Sequence, residues 1–173
     1  MIPILVGKNE SRMSRNPEEA LAAQGVDDEI VITLYDAERG VGGLLRFTEP
    51  DSRVDTARAR KSPSQYADTG ISSLLEEICR HGGEKTRVAV HIVGGAQSST
   101  PQSVGKKNYL AARKNLWKIG VAVQSEQVGG THVRNVRLEI ASGRFWITEA
   151  NSVARELGQD CETKEPSLWL TVS

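Results

Sequence analysis

Residues 27–47 read DDEIVITLYDAERGVGGLLRF, and the fold turns on them. The run from Glu29 to Asp36 is rich in β-branched residues, which suit a strand. AERG turns the chain, and Val41 to Phe47 returns as a second strand. Two glycines inside that strand, Gly42 and Gly43, mark either a bulge or a close approach of neighbouring groups to the backbone. A carboxylate, Glu29, opens the first strand, and a cation, Arg46, lies near the end of the second.

Outward from this pair, IPILV at 2–6 reads as a strand. NPEEALAA at 16–23 reads as a short helical turn or loop, with Asn16 as cap and Pro17 at the first helical position. Residues 48–62 read as a polar loop. A helix is predicted over 64–81, because Ile71, Leu74, Leu75, Ile78 and Cys79 form one apolar stripe. On that stripe Cys79 is expected in the core, and Gly82-Gly83 ends the helix. Strand TRVAVHIV at 86–93 runs into Gly94-Gly95-Ala96, followed by a Ser/Gln-rich loop over 97–104. A second helix is predicted over 105–119, then strand VAVQSEQV at 121–128 and turn GGT at 129–131. NVRLEIASGRFWI at 135–147 carries a hairpin signal around Ser142-Gly143. Adjacent strands with two interleaved helices predict a layered α/β sandwich with a largely antiparallel or mixed sheet. The expected organisation is one domain over 1–150 and a C-terminal tail over 151–173, which ends in the apolar run LWLTV.

The chain has 173 residues, with 22 Lys+Arg against 22 Asp+Glu. That balance argues against a nucleic-acid binder and against a polybasic membrane-surface protein. No apolar run approaches a membrane span, so no membrane insertion is expected. Two cysteines, Cys79 and Cys161, make no disulfide framework, which fits a reducing cytoplasm. Cys161 lies between Asp160 and Glu162, which disfavour its thiolate. His81 sits at a helix end, His91 in a strand and His132 in a loop. So scattered, they give no metal-site spacing, and no metal or other cofactor is expected. Gly94-Gly95 after a strand is compatible with a phosphate loop, but GxGxxG and a Walker lysine are both missing.

VGK (6–8), SRNPEEAL (14–21), VITLYDAERGVGGLL (31–45), YADTGISSLLEE (66–77), VGGA (93–96), VGKKNYLAARKNLWKIGV (104–121), VGGT (128–131) and VRLEIASGRFWI (136–147) form a series. In that order and near that spacing, the series resembles the chemoreceptor glutamine deamidase family, CheD, along nearly the whole chain. The resemblance implies a CheD-like fold and hydrolysis of a glutamine side-chain amide on a chemoreceptor. That chemistry needs a cysteine thiolate to attack the amide carbon, and a histidine to keep the thiol deprotonated and protonate the departing ammonia. It also implies two partners, chemoreceptor cytoplasmic helices and a CheC-type phosphatase.

The match breaks at the chemistry. Aligned without a gap from Tyr35-Asp36, the family's Gly-Ser-Cys falls on Asp27, Asp28 and Glu29. Its histidine falls on Arg46 and its threonine on Ala23, and no cysteine precedes Cys79. Arg46 cannot act as a base, because a guanidinium stays protonated at any usable pH. The reading that follows is a pseudoenzyme in which Glu29 and Arg46 pair with the signs of a thiolate and an imidazolium. If partly exposed, such a pair contributes only ~0–1 kcal/mol. The bland alternative leaves both side chains in solvent. The competing functional reading is an active protein-glutamine deamidase using non-standard residues, with Glu29 as nucleophile. Asp27, Asp28, Gly94, Gly95 and Thr131 are the candidate residues of the former cleft.

Overall fold

The computed structural model describes residues 1–96, 103–149 and 153–157. Two five-stranded sheets and a layer of helices stack face to face. The strands are β1 (Ile2–Leu5), β2 (Glu10–Ser14), β3 (Glu19–Val26), β4 (Ile30–Asp36), β5 (Val41–Phe47), β6 (Ala89–Gly94), β7 (Ser125–Val128), β8 (Arg134–Glu139), β9 (Phe145–Glu149) and β10 (Arg155–Leu157). The helices are α1 (Thr56–Lys61), α2 (Ala67–Arg80) and α3 (Val104–Lys118). One sheet runs β1-β3-β8-β9-β10 and the other β2-β5-β4-β6-β7. Among the described strands only β1 with β3 and β6 with β7 pair in parallel, so the expected α/β sandwich with mostly antiparallel pairing is what forms.

The second sheet is the middle layer, and both its faces are buried. Ile30, Ile32, Leu34, Leu45 and Phe47 turn toward α2 and α3. Val31, Tyr35 and Leu44 turn toward the first sheet and meet Leu138, Ile140, Phe145 and Ile147. This double burial explains the near-continuous apolar run in β4. It also explains the glycine pair, which sits where both faces crowd β5. A Cβ on Gly43 would lie 2.5 Å from Leu74 Cδ1 of α2, and one on Gly42 would lie 2.9 Å from Tyr35 Cδ2. The glycines therefore serve close approach from both sides; β5 pairs with β4 without a register shift from Val41 to Phe47.

Several expectations are corrected. NPEEALAA is not helical. Asn16 and Pro17 open a turn, with the Glu19 N–H donating to the Asn16 carbonyl (3.0 Å) and the Glu18 N–H to Asn16 Oδ1 (3.0 Å). The following alanines enter β3, where Ala20 and Ala23 are buried; tertiary burial overrides their helix propensity. Glu10–Ser14, not expected as a strand, is the edge strand β2 against β5. The stretch 48–62 holds a 3-10 turn at Ser52–Val54 and α1, capped by the Asp55 carboxylate accepting from the Arg58 N–H. Helix α2 starts at Ala67, later than expected, and strand β7 covers only Ser125–Val128. Cys79 is exposed rather than in the core. It follows the buried Ile78 by one residue, a rotation of about 100° that carries it off the stripe near the helix end. Cys161 and the LWLTV run lie outside the described residues.

His91, on β6, is 4% exposed. Its Nδ1 lies 2.5 Å from Ser125 Oγ, and its ring stacks on Phe145 at 5.1 Å between centroids. Burial disfavours the cation and pushes its pKa down to about 4. The folded state thus prefers neutral His91, whereas the unfolded chain titrates near 6.5. Stability from this residue is complete above about pH 6.5 and falls as pH drops toward 4. At roughly 1.4 kcal/mol per pKa unit the full loss is about 3 kcal/mol. Urea midpoints measured from pH 7 to pH 4 are expected to fall steeply in the native chain. The slope should flatten in His91→Gln; equal slopes would exclude His91 as its source.

Candidate functional site

Chain geometry brings Glu29 and Arg46 together between the two sheets. Arg46 stands opposite Val31 in the β4–β5 register. Glu29 lies two residues before Val31, so it is Arg46's diagonal cross-strand neighbour, within reach of a long side chain. Alternation along β5 sends Leu45 and Phe47 toward the helices and Arg46 toward the first sheet. Arg46 Nη2 is 2.5 Å and Nε 3.0 Å from Glu29 Oε1. The same guanidinium donates to the carbonyls of Gly25 (3.2 Å) and Val6 (3.5 Å), which ties the two sheets together. Glu29 Oε2 accepts from the Asp27 N–H at 3.3 Å.

The ion pair is present, and it is buried: Glu29 is 1% exposed and Arg46 6%. The solvent-facing alternative is thereby excluded, and so is the partly exposed pair. Burial works against the charged Glu29, but the Arg46 hydrogen bonds and charge outweigh it and hold the carboxyl below its usual range. Bonded to Glu29 and to two backbone carbonyls, Arg46 can lock the two sheets. It offers no base, since guanidinium has no acceptor lone pair.

Two further glycine pairs lie nearby, Gly94-Gly95 at the end of β6 and Gly129-Gly130 after β7, and the backbone of 27–29 is held by the first of these. The Gly95 N–H donates to the Glu29 carbonyl (3.0 Å) and the Ala96 N–H to the Asp27 carbonyl (2.7 Å). Gly94 adopts φ +125, and a Cβ there would fall 2.1 Å from the Glu29 carbonyl oxygen. Asp27, Gly94 and Gly95 are thus brought beside Glu29. Asp28 is exposed, and Asp27 Oδ1 is buried without a hydrogen-bond partner. Ala23 is fully buried opposite Val136, and Thr131 is exposed beyond the second glycine pair.

Sequence reading missed Arg134. It is 1% exposed, and it joins the two glycine pairs. Nη1 donates to the Gly94 carbonyl (3.2 Å), Nη2 to the Gly129 carbonyl (2.7 Å), and Nε to Glu149 Oε1 (3.2 Å). The signal was available: Arg134, Val136 and Leu138 share one parity in β8, and that parity faces inward. A second missed cluster is Asp36, buried at the end of β4. It accepts from Arg87 Nη2 (2.8 Å) and from the Glu84 N–H (2.9 Å).

Comparison with known proteins shows the family. The family model described as CheD chemotactic sensory transduction matches residues 50–149. A protein from Solibacter usitatus named "Probable chemoreceptor glutamine deamidase CheD" is 44% identical over 160 residues, covering 91% of this chain and 94% of the relative. One from Syntrophus aciditrophicus, "Probable chemoreceptor glutamine deamidase CheD 1", is 33% identical over 89% of this chain and 98% of its own length. A relative from Pyrococcus horikoshii with the same printed function is 34% identical over 72% of the chain and 78% of its own length. No described helix is long and apolar enough to cross a membrane. With the family model spanning more than half of the residues and such relatives aligning along most of the rest, this chain belongs to the CheD chemotaxis family.

Proposed function

We propose that this chain serves chemotaxis signalling in the cytoplasm as a binding protein that has lost deamidase chemistry. Its partners on this reading are chemoreceptor cytoplasmic helices, a CheC-type phosphatase, or both. The observation that carries the proposal is the buried Glu29–Arg46 pair at the positions that the resemblance assigns to thiolate and imidazole. Glu29 Oε1 accepts two bonds from Arg46 and Oε2 accepts one from the Asp27 N–H. Attack on an amide carbon would have to give up those bonds, and Arg46, which stays protonated at any usable pH, cannot take the histidine's part in holding and then delivering a proton to the leaving ammonia. Ala23 carries no hydroxyl to replace the family's threonine. Of the former-cleft candidates, exposed Asp28 and Thr131 and half-buried Asp27 are the ones offered to a partner on this reading; Gly94 and Gly95 are buried, which corrects their expected role as contact residues.

The test pairs binding with turnover. The chain is expected to bind a chemoreceptor cytoplasmic fragment or the phosphatase in calorimetry, while releasing no ammonia from the receptor fragment above the protein-free rate. Sustained ammonia release that is lost in Glu29→Ala would establish the competing reading, an active deamidase with non-standard residues. Failure to bind either partner would overturn the binding role.

A further inference from the structure

Helix α3 has two unlike faces. Asn108, Ala112 and Leu116 are buried against the middle sheet and α2, and Asn108 Nδ2 donates to the Thr48 carbonyl (2.9 Å). On the outer side, residues 107, 110, 114, 117 and 118 fall at helical spacing on one stripe. Trp117 is 81% exposed and Leu110 53%. Lys107, Arg113, Lys114 and Lys118 are exposed around them, with Lys106 half-buried beside them. Among the described residues Lys107, Lys114 and Lys118 make no salt bridge, while Arg113 lies 3.7 Å from Glu126. The helix holds five basic residues and no acidic one. The chain as a whole is neutral, so subtracting these five leaves a net −5 on the remainder.

A tryptophan is rarely left this open, because its large ring gains so much from burial. An exposed aromatic with an aliphatic neighbour and a charged rim is the anatomy of an interface hot spot. We propose that this face of α3 docks an acidic helical segment of a partner protein. Trp117 and Leu110 would pack on the partner's apolar seam, and the lysines would meet its flanking carboxylates. Charge complementarity sets the sign of the partner. An anionic membrane fits less well. A lipid-bound helix sinks a continuous apolar face into the interface, and α3 has already committed that face to the core. A nucleic acid would use the cations but leave the indole and Leu110 without a role, on a chain of zero net charge. The surface also stands apart from Glu29 and Arg46, which point from the middle sheet into the opposite layer. The inference therefore holds whichever way the turnover test falls.

The probe is a labelled synthetic helix with a leucine seam flanked by glutamates, titrated with the full chain and followed by fluorescence anisotropy. Parallel titrations use phosphatidylserine–phosphatidylcholine vesicles and duplex DNA. Saturable peptide binding is expected, weakened roughly 30-fold by Trp117→Ala, clearly weakened by Lys114→Glu, and weakened by added salt. Both side chains are exposed, so both variants should keep the native unfolding midpoint. No peptide binding, binding indifferent to Trp117→Ala and Lys114→Glu, or tighter binding to vesicles or DNA than to the peptide would each overturn the proposal.

Discussion

Arg46→Met is expected to destabilise the protein by about 3–5 kcal/mol, because it leaves a buried carboxylate without its partner. Glu29 is only 1% exposed, so water cannot replace the lost guanidinium. The carbonyls of Gly25 and Val6 lose a donor at the same time. The double variant Glu29→Leu/Arg46→Met should be clearly more stable than Arg46→Met alone, since it removes the stranded charge. The acid response should also invert. In the native chain Glu29 is held below its usual range, so its contribution is present above the unfolded value of 4.5 and fades as pH falls through the folded one. In Arg46→Met the carboxylate is buried without a counter-charge, its pKa rises, and lowering the pH relieves the cost by protonating it. Urea unfolding of the four members of the cycle measures both effects. Additive single substitutions would show that the two residues do not interact.

Gly94→Ala is the second large effect, expected at about 3–5 kcal/mol, from strain at a backbone angle that favours glycine together with overpacking. The new methyl would lie 2.1 Å from the Glu29 carbonyl oxygen. That neighbour is backbone, so no rotamer change relieves the overlap. Yielding would mean moving the 27–29 segment, and with it the Gly95–Glu29 and Ala96–Asp27 hydrogen bonds. The Gly94 carbonyl also accepts from Arg134 and from the Gly129 N–H, so the strain would reach the second glycine pair. Gly25→Ala is the matched control. Its φ is +64, and a methyl there would meet nothing within 4 Å, so only the left-handed conformation matters, at roughly 1 kcal/mol. Equal unfolding midpoints for the two variants would contradict the role given to Gly94.

The parts of the fold legible in the sequence were those set by local pattern. β4, the turn and β5 announced themselves through β-branched residues and punctuation, α2 through its apolar stripe, and β8–β9 through alternation around Ser142-Gly143. What stayed hidden depended on distant neighbours. Ala20 to Ala23 read as part of a short helical turn or loop, yet β8 and β1 take them into a sheet. β2 is a polar edge strand, and only its pairing with β5 identifies it. At the candidate site, the charges of Glu29 and Arg46 were enough to read them as a pair. Local pattern could not show that the first sheet would close over Arg46, so the pair is buried rather than partly exposed. Arg134 shares the inward parity of Val136 and Leu138, but what makes its burial possible, the Gly94 and Gly129 carbonyls and the Glu149 carboxylate, is brought to it only by the fold.

Glu29 is, on this reading, a structural anion locked to Arg46 rather than a reactive carboxyl. The most direct test of that claim is an NMR titration of the Glu29 side-chain carboxyl in the native protein. Glu29 is expected to be fully ionised at neutral pH and to titrate below the ordinary 4.5, with that depression lost in Arg46→Met. A carboxyl titrating above 4.5 in the native chain, as an acid poised for proton transfer or covalent chemistry would, would contradict it.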